Sequence, residues 1–520
     1  MPRILDVAVI GAGTMAQAVH LPVLRRRWDR FAVTALVDHS PRRQREAAEV
    51  WGVPEEHRWG TVAELIAAVR AKEVSVDAAV LSTDGVHVDD VLALIRRGIP
   101  VLVEPPLGFS AQEIQKVIDF ERMTGRRMVM LAFPQQHDEV VRGMSERIPA
   151  RDVRMIDYEV LMPANQPLFG AAQVTASAYD LPTEERARLR DELQAAVEAG
   201  SGAGATQRDR DLYVKGLLTG LAHQFAVLEA AYGPLAELVA VRHWPKGVIP
   251  GSVELLAELE NEAPVRIVWH YLPFAPEYSE QIQVLSARRR MRVDIPAPSH
   301  GDQRAEGSLR EKTAGVVTDT TILAQQGSAE AMWEAFHAFV ERGEVSGGGA
   351  EDALRQTVQL REILAAIVEA DDRTIDPEPE PEVEAEAEPE VATEPEATPE
   401  AEDVLEPTAA ALPAEPTAAL APVDEPAPAL EPADEPTAVL EPVDAPTAML
   451  EPVPSEASAE KAPSDAPAEP EPSQAPEDPT AQDAPGAVRR PFPLSGDQDD
   501  VWNLPTETPS APEAEPDRRT

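Results

Sequence analysis

A glycine-rich turn between a short apolar run and a helical stretch constrains the fold of this chain more than any other feature. Asp6–Ile10 ends in four consecutive apolar residues, which predicts a buried strand. The turn Gly11–Ala16 follows at once with the pattern G-x-G-x-x-A, and a helix is predicted from about Met15 to Arg26. A strand, a glycine turn and a helix in this order form the first unit of a doubly wound parallel sheet. The sequence therefore predicts an α/β Rossmann domain.

Each small residue of this turn suits a bound dinucleotide. Gly11 permits the tight turn, Gly13 lets a pyrophosphate approach the backbone, and Ala16 allows the helix to pack closely on the strand. The first helical turn then offers free N–H groups to the phosphates. We predict cofactor contacts at Gly11, Ala12, Gly13, Thr14 and Met15. The alternative is a glycine turn of an α/β fold that binds no ligand.

An acidic residue at the end of the second predicted strand bears on the choice of cofactor. Asp38 follows the strand 31–37 and lies 25 positions after Gly13, close to where an acid takes the ribose hydroxyls of a dinucleotide. A carboxylate repels a 2′-phosphate, so Asp38 favours NAD. Arg42 and Arg43 are near enough in sequence to leave NADP open.

The periodicity of the chain changes after the first domain. Strands and helices alternate up to about residue 132, which is typical of a parallel sheet with helices on both faces. After Pro149, period-two alternation predicts an antiparallel or mixed sheet with one covered face. The predicted strands lie at 6–10, 31–37, 78–82, 101–104, 128–133, 153–161, 253–259, 265–271 and 291–295, and the predicted helices at 15–26, 42–51, 62–71, 88–97, 111–124, 212–231, 329–342 and 351–370.

The last third of the chain has a different composition. Residues 376–520 carry 38 Asp and Glu against five Lys and Arg, so only −13 of the total net charge of −46 belongs to residues 1–375. Frequent proline and few large apolar residues predict that this segment does not fold alone. Four ten-residue repeats begin at Glu415, and the segment around Phe492 and Trp502 resembles a short docking motif. We predict three parts: an NAD(P)-binding Rossmann domain at 1–132, an α+β substrate and dimerisation domain at 133–370, and a disordered acidic, proline-rich tail at 371–520.

Composition also excludes several classes of protein. The chain contains no cysteine, which excludes disulfides, cysteine-based zinc sites and thiolate nucleophiles, and we predict no metal site. The acidic balance argues against nucleic acid or an anionic membrane surface as partner. No stretch of 18 apolar residues is present and no signal-peptide pattern precedes the first strand, so we expect a cytoplasmic protein.

The chain resembles the Gfo/Idh/MocA family, which includes glucose–fructose oxidoreductase and inositol dehydrogenases. The resemblance covers about residues 1–370. It is carried by VAVIGAGTMAQ at 7–17, the strand end at Asp38, STDGVH at 82–87 and GIPVLVEPPL at 98–107, together with the second domain and its closing helices. The resemblance implies hydride transfer between a nicotinamide and a sugar, polyol or related molecule. It also implies that Ser82, Thr83, His87 and Glu104 lie at the cofactor.

The sequence departs from the family at two positions. Where the family has Glu-Lys-Pro, with a lysine that binds the substrate hydroxyl, this chain has Glu104-Pro105-Pro106. Proline has no donor, so this position cannot fill the role of the lysine. A cis peptide precedes the last proline of the family motif, and a Pro–Pro bond adopts cis at little cost. The family also has an Asp-x-x-x-His pair on a helix, of which this chain keeps His223 but has Thr219 for the aspartate.

One compensation is built into the same helix. Lys215, Thr219 and His223 are four residues apart and share a helix face. The resemblance implies a catalytic role for His223, and we predict Lys215 as its partner in the cleft. The alternatives are a solvated surface lysine and a helix-face histidine without chemistry.

Two functions from different classes follow from these residues. The first is an NAD(P)-dependent oxidoreductase with an altered active site. The second is a dinucleotide-binding sensor or scaffold that has no turnover and acts through its tail. We further predict a homo-oligomer formed through the second-domain sheet and a protein partner for the tail.

Overall fold

A parallel sheet with helices on both faces forms the first part of the chain. This computed structural model describes residues 3–172, 174 and 180–376. The six strands pair in the order β3-β2-β1-β4-β5-β6, which is the doubly wound arrangement, and every pairing is parallel. The strands are β1 Leu5–Ile10, β2 Phe31–Val37, β3 Arg58–Trp59, β4 Ala78–Leu81, β5 Val101–Val103 and β6 Val129–Leu131. The predicted Rossmann fold is confirmed.

Local sequence signals explain where the helices of this domain begin and end. The helices are α1 Leu21–Arg26, preceded by the π-helical turn Ala16–His20, α2 Pro41–Trp51, α3 Val62–Ala71, α4 Val88–Arg96 and α5 Ala111–Thr124. Ser110 caps α5 by accepting a hydrogen bond from the backbone N–H of Glu113, and Gly125 ends α5 at φ 64°. These two residues frame the helix predicted at 111–124.

A second, larger sheet follows in the chain. Its eight strands pair in the order β14-β13-β12-β11-β7-β10-β9-β8, where only β7 and β10 run parallel to each other. The strands are β7 Val153–Met162, β8 Leu235–Trp244, β9 Ser252–Leu259, β10 Pro264–Tyr271, β11 Ser279–Ser286, β12 Arg289–Asp294, β13 Glu306–Thr313 and β14 Val316–Leu323. The prediction of a mixed sheet is confirmed, and one face of it is buried by alternate side chains of β9, β10 and β11.

The helices of the second domain include a long π-helical segment. The α-helices are α6 Glu139–Arg142, α7 Met144–Arg147, α8 Asn165–Phe169, α9 Thr183–Ser201, α10 Gln207–Leu212, α11 Ala222–Tyr232, α12 Ser328–Arg342 and α13 Ala350–Glu369. Residues Tyr213–Leu221 form a π-helix between α10 and α11. The helix predicted at 212–231 is therefore continuous in space but changes its winding at its centre, a feature often found at functional sites.

Helix α12 returns to the first domain. Its apolar face, with Trp333 and Phe336, is fully buried in the same core as β1 and α1. The ring of Trp333 meets that of Phe31 edge to face at 5.2 Å. Helix α12, which the sequence assigned to the second domain at 133–370, thus completes the core of the first domain.

Within the described residues, no helix is both long and apolar enough to cross a membrane. The acidic repeats and the docking motif predicted around Phe492 and Trp502 lie outside the described residues.

Candidate active site

One cavity of about 460 Å³ lies where the two domains meet. The first domain contributes the turn after β1 and the residues that follow β4 and β5, which are the carboxyl ends of neighbouring parallel strands. The second domain contributes the π-helix and α11 from one side. Ligands of doubly wound folds bind at this edge of the sheet. Nine of the site residues predicted from the sequence line this cavity: Gly13, Thr14, Met15, Ser82, Thr83, His87, Glu104, Lys215 and His223.

The glycines of the turn fill the roles that the spacing predicts. Gly11 has φ +86°, and a Cβ there would lie 2.3 Å from the carbonyl oxygen of Ser82. No other residue allows the turn after β1 to touch the end of β4 this closely. A Cβ at Gly13 would point to the cavity side, 3.3 Å from Nη1 of Arg43. The missing side chain at Gly13 therefore leaves open a cradle of the kind a pyrophosphate needs.

Three predicted cofactor contacts lie behind the cavity wall, not on it: Gly11, Ala12 and Asp38. The Asp38 carboxylate is only 7% exposed. It accepts a hydrogen bond from the backbone N–H of Ala12 at 2.7 Å and another from Ser40 N–H at 2.8 Å. Asp38 thus holds the glycine turn to the start of α2. Arg43, whose Nε lies 3.7 Å from Asp38, lines the cavity instead.

A second carboxylate occupies the N-terminus of α2. Ser40 Oγ donates to Asp180 Oδ1 at 2.5 Å, and the backbone N–H of Arg42 donates to Asp180 Oδ2 at 2.8 Å. The Ser40 hydroxyl and the Arg42 N–H attract an anion, because the positive end of the helix dipole of α2 and a backbone N–H without an intrahelical partner face the same point. A negative charge from the second domain therefore lies beside Arg42, one of the two arginines that left NADP possible as the cofactor.

Glu104 is held at the cavity by a chain of hydrogen bonds through the first-domain core. The indole Nε1–H of Trp333 donates to His20 Nδ1 at 3.2 Å, and the other ring nitrogen, Nε2, lies 2.6 Å from Glu104 Oε1. An indole N–H can only donate, so Nδ1 accepts and Nε2 carries the proton that binds Glu104. His20 is fully buried, and this arrangement fixes the carboxylate without needing a charged imidazole.

The proline pair keeps the turn beside Glu104. The Pro105–Pro106 peptide bond is cis, as the resemblance implies. His87 Nε2–H donates to the Pro106 carbonyl oxygen at 2.9 Å. Burial lowers the pKa of His87 to about 4, so its ring is neutral at physiological pH. Within the described residues, His87 thus supports the proline turn.

The helix wall brings Lys215, Thr219 and His223 to the same cavity. The Lys215 side chain is only 16% exposed and lies 3.8 Å from the Asp211 carboxylate, so it is not a solvated surface lysine. Thr219 Oγ1 donates to the carbonyl oxygen of Val214 at 2.8 Å. Its proton is therefore used within the π-helix and does not orient the imidazole of His223.

His223 lacks the hydrogen bonds that a structural histidine usually has. Its Nδ1 is buried without a hydrogen-bond partner among the described residues, and its ring packs edge to face on Phe133 at 5.0 Å. Burial lowers the pKa of His223 from its ordinary value, and the nearby Glu104 carboxylate acts in the opposite direction. A neutral imidazole at a cavity is suited to accept a proton.

A buried polar cluster beside His223 was missed from the sequence. Glu280 is 2% exposed, Tyr278 Oη donates to its Oε2 at 2.5 Å, and Tyr158 Oη donates to its Oε1. Burial raises the pKa of Glu280. Tyr278 lines the cavity together with Gln135 and Gln224. One signal was available: Glu280 occupies an inward position of β11, in register with Ile282 and Val284.

Comparison with known proteins supports the first domain most strongly. Residues 5–133 match the model described as the Gfo/Idh/MocA oxidoreductase family, NAD-binding Rossmann fold. The chain is 32% identical over 144 residues to an inositol 2-dehydrogenase of Burkholderia ambifaria, covering 28% of this chain and 41% of that protein. It is 34% identical over 139 residues to that of Pseudarthrobacter chlorophenolicus, covering 26% and 39%. The matched part thus spans about two fifths of these relatives.

Solved structures with the same fold extend over nearly all described residues. A putative NADPH-dependent oxidoreductase of Desulfitobacterium hafniense has a TM-score of 0.54 at 15% identity, covering 71% of this chain and 97% of that one. A 3-ketoreductase of Actinomadura kijaniata, in complex with NADP and TDP-benzene, has a TM-score of 0.50 at 17% identity, covering 70% and 98%. At these identities the likeness shows the fold. The predicted family resemblance is confirmed, and it is the first domain that matches the NAD-binding Rossmann model of this family.

Proposed function

We propose that this chain, whose first domain matches the NAD-binding domain of the Gfo/Idh/MocA oxidoreductases, is an NAD(P)-dependent oxidoreductase acting on a CH–OH group of a sugar, polyol or related small molecule. One observation carries the proposal: a single cavity brings the glycine turn, Glu104 and His223 together. The open cradle at Gly13 and the carboxyl ends of three parallel strands fit a dinucleotide. When bound, its nicotinamide would accept or supply the hydride.

His223 is the group we assign to the proton. In oxidation, the carbinol C–H bond breaks and its electron pair goes to the nicotinamide, while the O–H proton goes to the neutral imidazole. A carbonyl forms, and reduction is the reverse. Glu104 stabilises the protonated imidazole, since its charge favours that form. With no donor at Pro105, the substrate hydroxyl must be oriented from the helix wall, where Lys215 is the second residue that we assign to the site.

A specific observation also favours the alternative of a dinucleotide-binding sensor or scaffold. Pro105 stands where the resemblance implies a lysine, and the Thr219 hydroxyl, where the resemblance implies an aspartate, donates to the backbone of its own helix. Loss of a positioned proton donor costs about 10²–10⁴-fold in rate. Under this alternative the cofactor binds without turnover, and the output is a partner bound through the tail.

Two measurements separate these functions. NADH and NADPH binding is followed by fluorescence titration of the full chain. A panel of sugars and polyols is then screened with NAD⁺ and NADP⁺ for absorbance change at 340 nm. Turnover of any substrate supports the oxidoreductase, binding without turnover supports the sensor, and failure to bind either cofactor contradicts both.

The predicted homo-oligomer, a partner for the tail and a cytoplasmic location remain proposals. The outer face of the second-domain sheet carries exposed Val239 and Leu256, next to ion pairs of Arg266 with Glu254 and Asp157. Such a mixed face is compatible with self-association. Light scattering on the full chain and on Leu256→Glu tests it: the variant should have half the mass of the wild type if the sheet forms a dimer.

A further inference from the structure

We propose that a side cavity next to the active site is a subsite for an oxyanion of the substrate, a carboxylate or a phosphate. This inference rests on the proposed function, because the substrate would place its reacting carbon in the main cavity. The side cavity has a volume of about 100 Å³ and shares Met162, Lys215 and Thr219 with the main one. A substrate that reaches Lys215 from the main cavity therefore meets the side cavity directly.

The walls of the side cavity are apolar and aromatic. They are formed by Met162, Ile249, Pro250, Trp269 and Tyr271, with Lys215 and Thr219 from the π-helix. No aspartate or glutamate is among these lining residues. Polar groups in such surroundings interact more strongly than in water, and those left without a partner are costly. The cavity therefore favours a ligand that satisfies its donors.

Trp269 offers one of these donors. Its side chain is 2% exposed, and its indole Nε1 is buried with no hydrogen-bond partner among the described residues. A buried indole N–H usually has an acceptor. The ring is held against the π-helix at Gly220, where a Cβ would lie 2.8 Å from Trp269 Cζ2. The position of this donor is thus fixed by close packing.

Lys215 offers the second donor and a positive charge. Its counter-ion Asp211 lies 3.8 Å away, which is beyond a normal hydrogen bond, so the ammonium keeps donors for a ligand. The Thr219 hydroxyl spends its proton on Val214 and adds no further donor. Lys215 and Trp269 line the same cavity, no acidic residue is among its lining residues, and Asp211 reaches Lys215 only at 3.8 Å, so an ammonium and an indole N–H there match an anionic acceptor. The substrate class that follows is a sugar acid or a sugar phosphate.

Matched sugars test this assignment. Glucose, glucosamine, glucuronate and glucose 6-phosphate are titrated by calorimetry into the full chain saturated with NADH. We expect glucuronate or glucose 6-phosphate to bind at least tenfold more tightly than glucose, and glucosamine to gain nothing. The two anionic sugars separate a carboxylate subsite from a phosphate subsite.

Two variants assign the effect to the side cavity. Lys215→Met keeps the length of the side chain. We expect it to lose about tenfold or more in affinity for the anionic sugar and clearly less for glucose, whose hydroxyl Lys215 also orients under the proposed function, so that the preference for the anion falls. Trp269→Phe keeps a ring without the N–H, and we expect a loss of about threefold to tenfold. Lys116→Met, on the exposed surface of α5, is the matched control and should change neither.

The proposal is overturned if neither anionic sugar exceeds glucose, or if Lys215→Met keeps the full preference. A preference that survives in Trp269→Phe contradicts the donor assigned to Trp269. The subsite is tested by binding and the proposed function by turnover, so a failure of one is distinguishable from a failure of the other. A preference for an anionic sugar without hydride transfer refutes the oxidoreductase and leaves the subsite standing.

Discussion

The two walls of the cavity differ in how their polar groups are held. The first-domain side is held by hydrogen bonds inside the protein: Asp38, behind the wall, holds the glycine turn, His87 Nε2 holds the proline turn, and Glu104 is bound by His20. On the second-domain side, Nδ1 of His223 on α11 and Nε1 of Trp269 on β10 are buried without a partner among the described residues, and Nδ1 of His87 is the corresponding atom on the first-domain side. The two carboxylates of the first-domain side are thus paired within the chain, while His223 and Trp269 offer groups that a ligand can satisfy.

This difference follows the family pattern only in part. The first-domain wall has the G-x-G-x-x-A turn and lies in the part that matches the family model, but it also has Pro105 where the resemblance implies a lysine. The helix wall has Thr219 where the resemblance implies an aspartate, and Lys215 lies one turn before it. The residues proposed to meet the cofactor thus follow the family pattern more closely than those proposed to meet the substrate. The following variants test one wall at a time.

The largest expected effect is on the first-domain wall. Gly13→Val places a branched side chain in the cradle, and we expect NADH affinity to fall about 100-fold or more, because two backbone hydrogen bonds to a charged group at ~1.5 kcal/mol each are lost. The neighbour of the new Cβ is the flexible end of Arg43, so the fold should survive. Gly247→Val, at a glycine with open space around it, is the control and should bind NADH normally. Normal binding by Gly13→Val would place the cofactor elsewhere.

Glu104→Gln tests whether the two walls act together. The negative charge of Glu104 raises the pKa of His223, so removing it lets burial lower that pKa further. Oxidation needs the neutral imidazole of His223. The acid limb of the pH–rate profile for oxidation should therefore move to lower pH, and turnover should fall about tenfold. Glu104→Asp keeps the charge and should leave the limb closer to that of the wild type. A limb that does not move in Glu104→Gln would separate the carboxylate from His223.

A smaller effect is expected at the N-terminus of α2. Asp180→Asn removes the negative charge that now accepts hydrogen bonds from the Ser40 hydroxyl and the backbone N–H of Arg42. We expect affinity for NADPH relative to NADH to rise about fivefold, which corresponds to ~1 kcal/mol at a helix terminus. Asp191→Asn, an exposed change on α9, is the control. An unchanged ratio in Asp180→Asn would show that this site does not receive the 2′-phosphate.

The smallest expected effect is that of the tail. Arg361 Nη2 pairs with Asp376 at 2.6 Å and Ile375 is buried, so a truncation should begin at 377. Removing 377–520 should leave the NADH dissociation constant within about twofold of the full chain, since the cavity has a wall made of described residues that all precede position 300. A larger change, measured in the same titration, would mean that the tail takes part in the site.

The sequence predicted those parts of the molecule that depend on local signals. The strand at 31–37 and the helices at 62–71 and 111–124 were predicted within a residue, because apolar runs, caps and glycine stops lie next to each other in the chain. Of the residues that line the cavity, Gly13 was predicted from the turn and Lys215 from the helix spacing, while Glu104 and His223 were implied by the family resemblance.

The remainder depended on contacts between distant segments. No local pattern indicates that Trp333 binds His20, which is 313 positions earlier, or that Asp180 reaches Ser40, which is 140 positions earlier. The π-helix at Tyr213–Leu221 was missed because its apolar spacing also fits an α-helix. Trp269 appeared only as an inward residue of a strand, since the side cavity exists only once the π-helix packs on the sheet.

A side-by-side titration and turnover assay of wild type and His223→Gln tests the central claim most directly, that this cavity binds a dinucleotide and uses His223 to move a proton. Glutamine keeps a polar side chain of similar size but cannot exchange a proton at neutral pH. We predict the same NADH dissociation constant in both proteins and a turnover about 10²–10⁴-fold lower in the variant. Equal turnover in the two proteins, or no hydride transfer by the wild type despite NADH binding, would contradict the account.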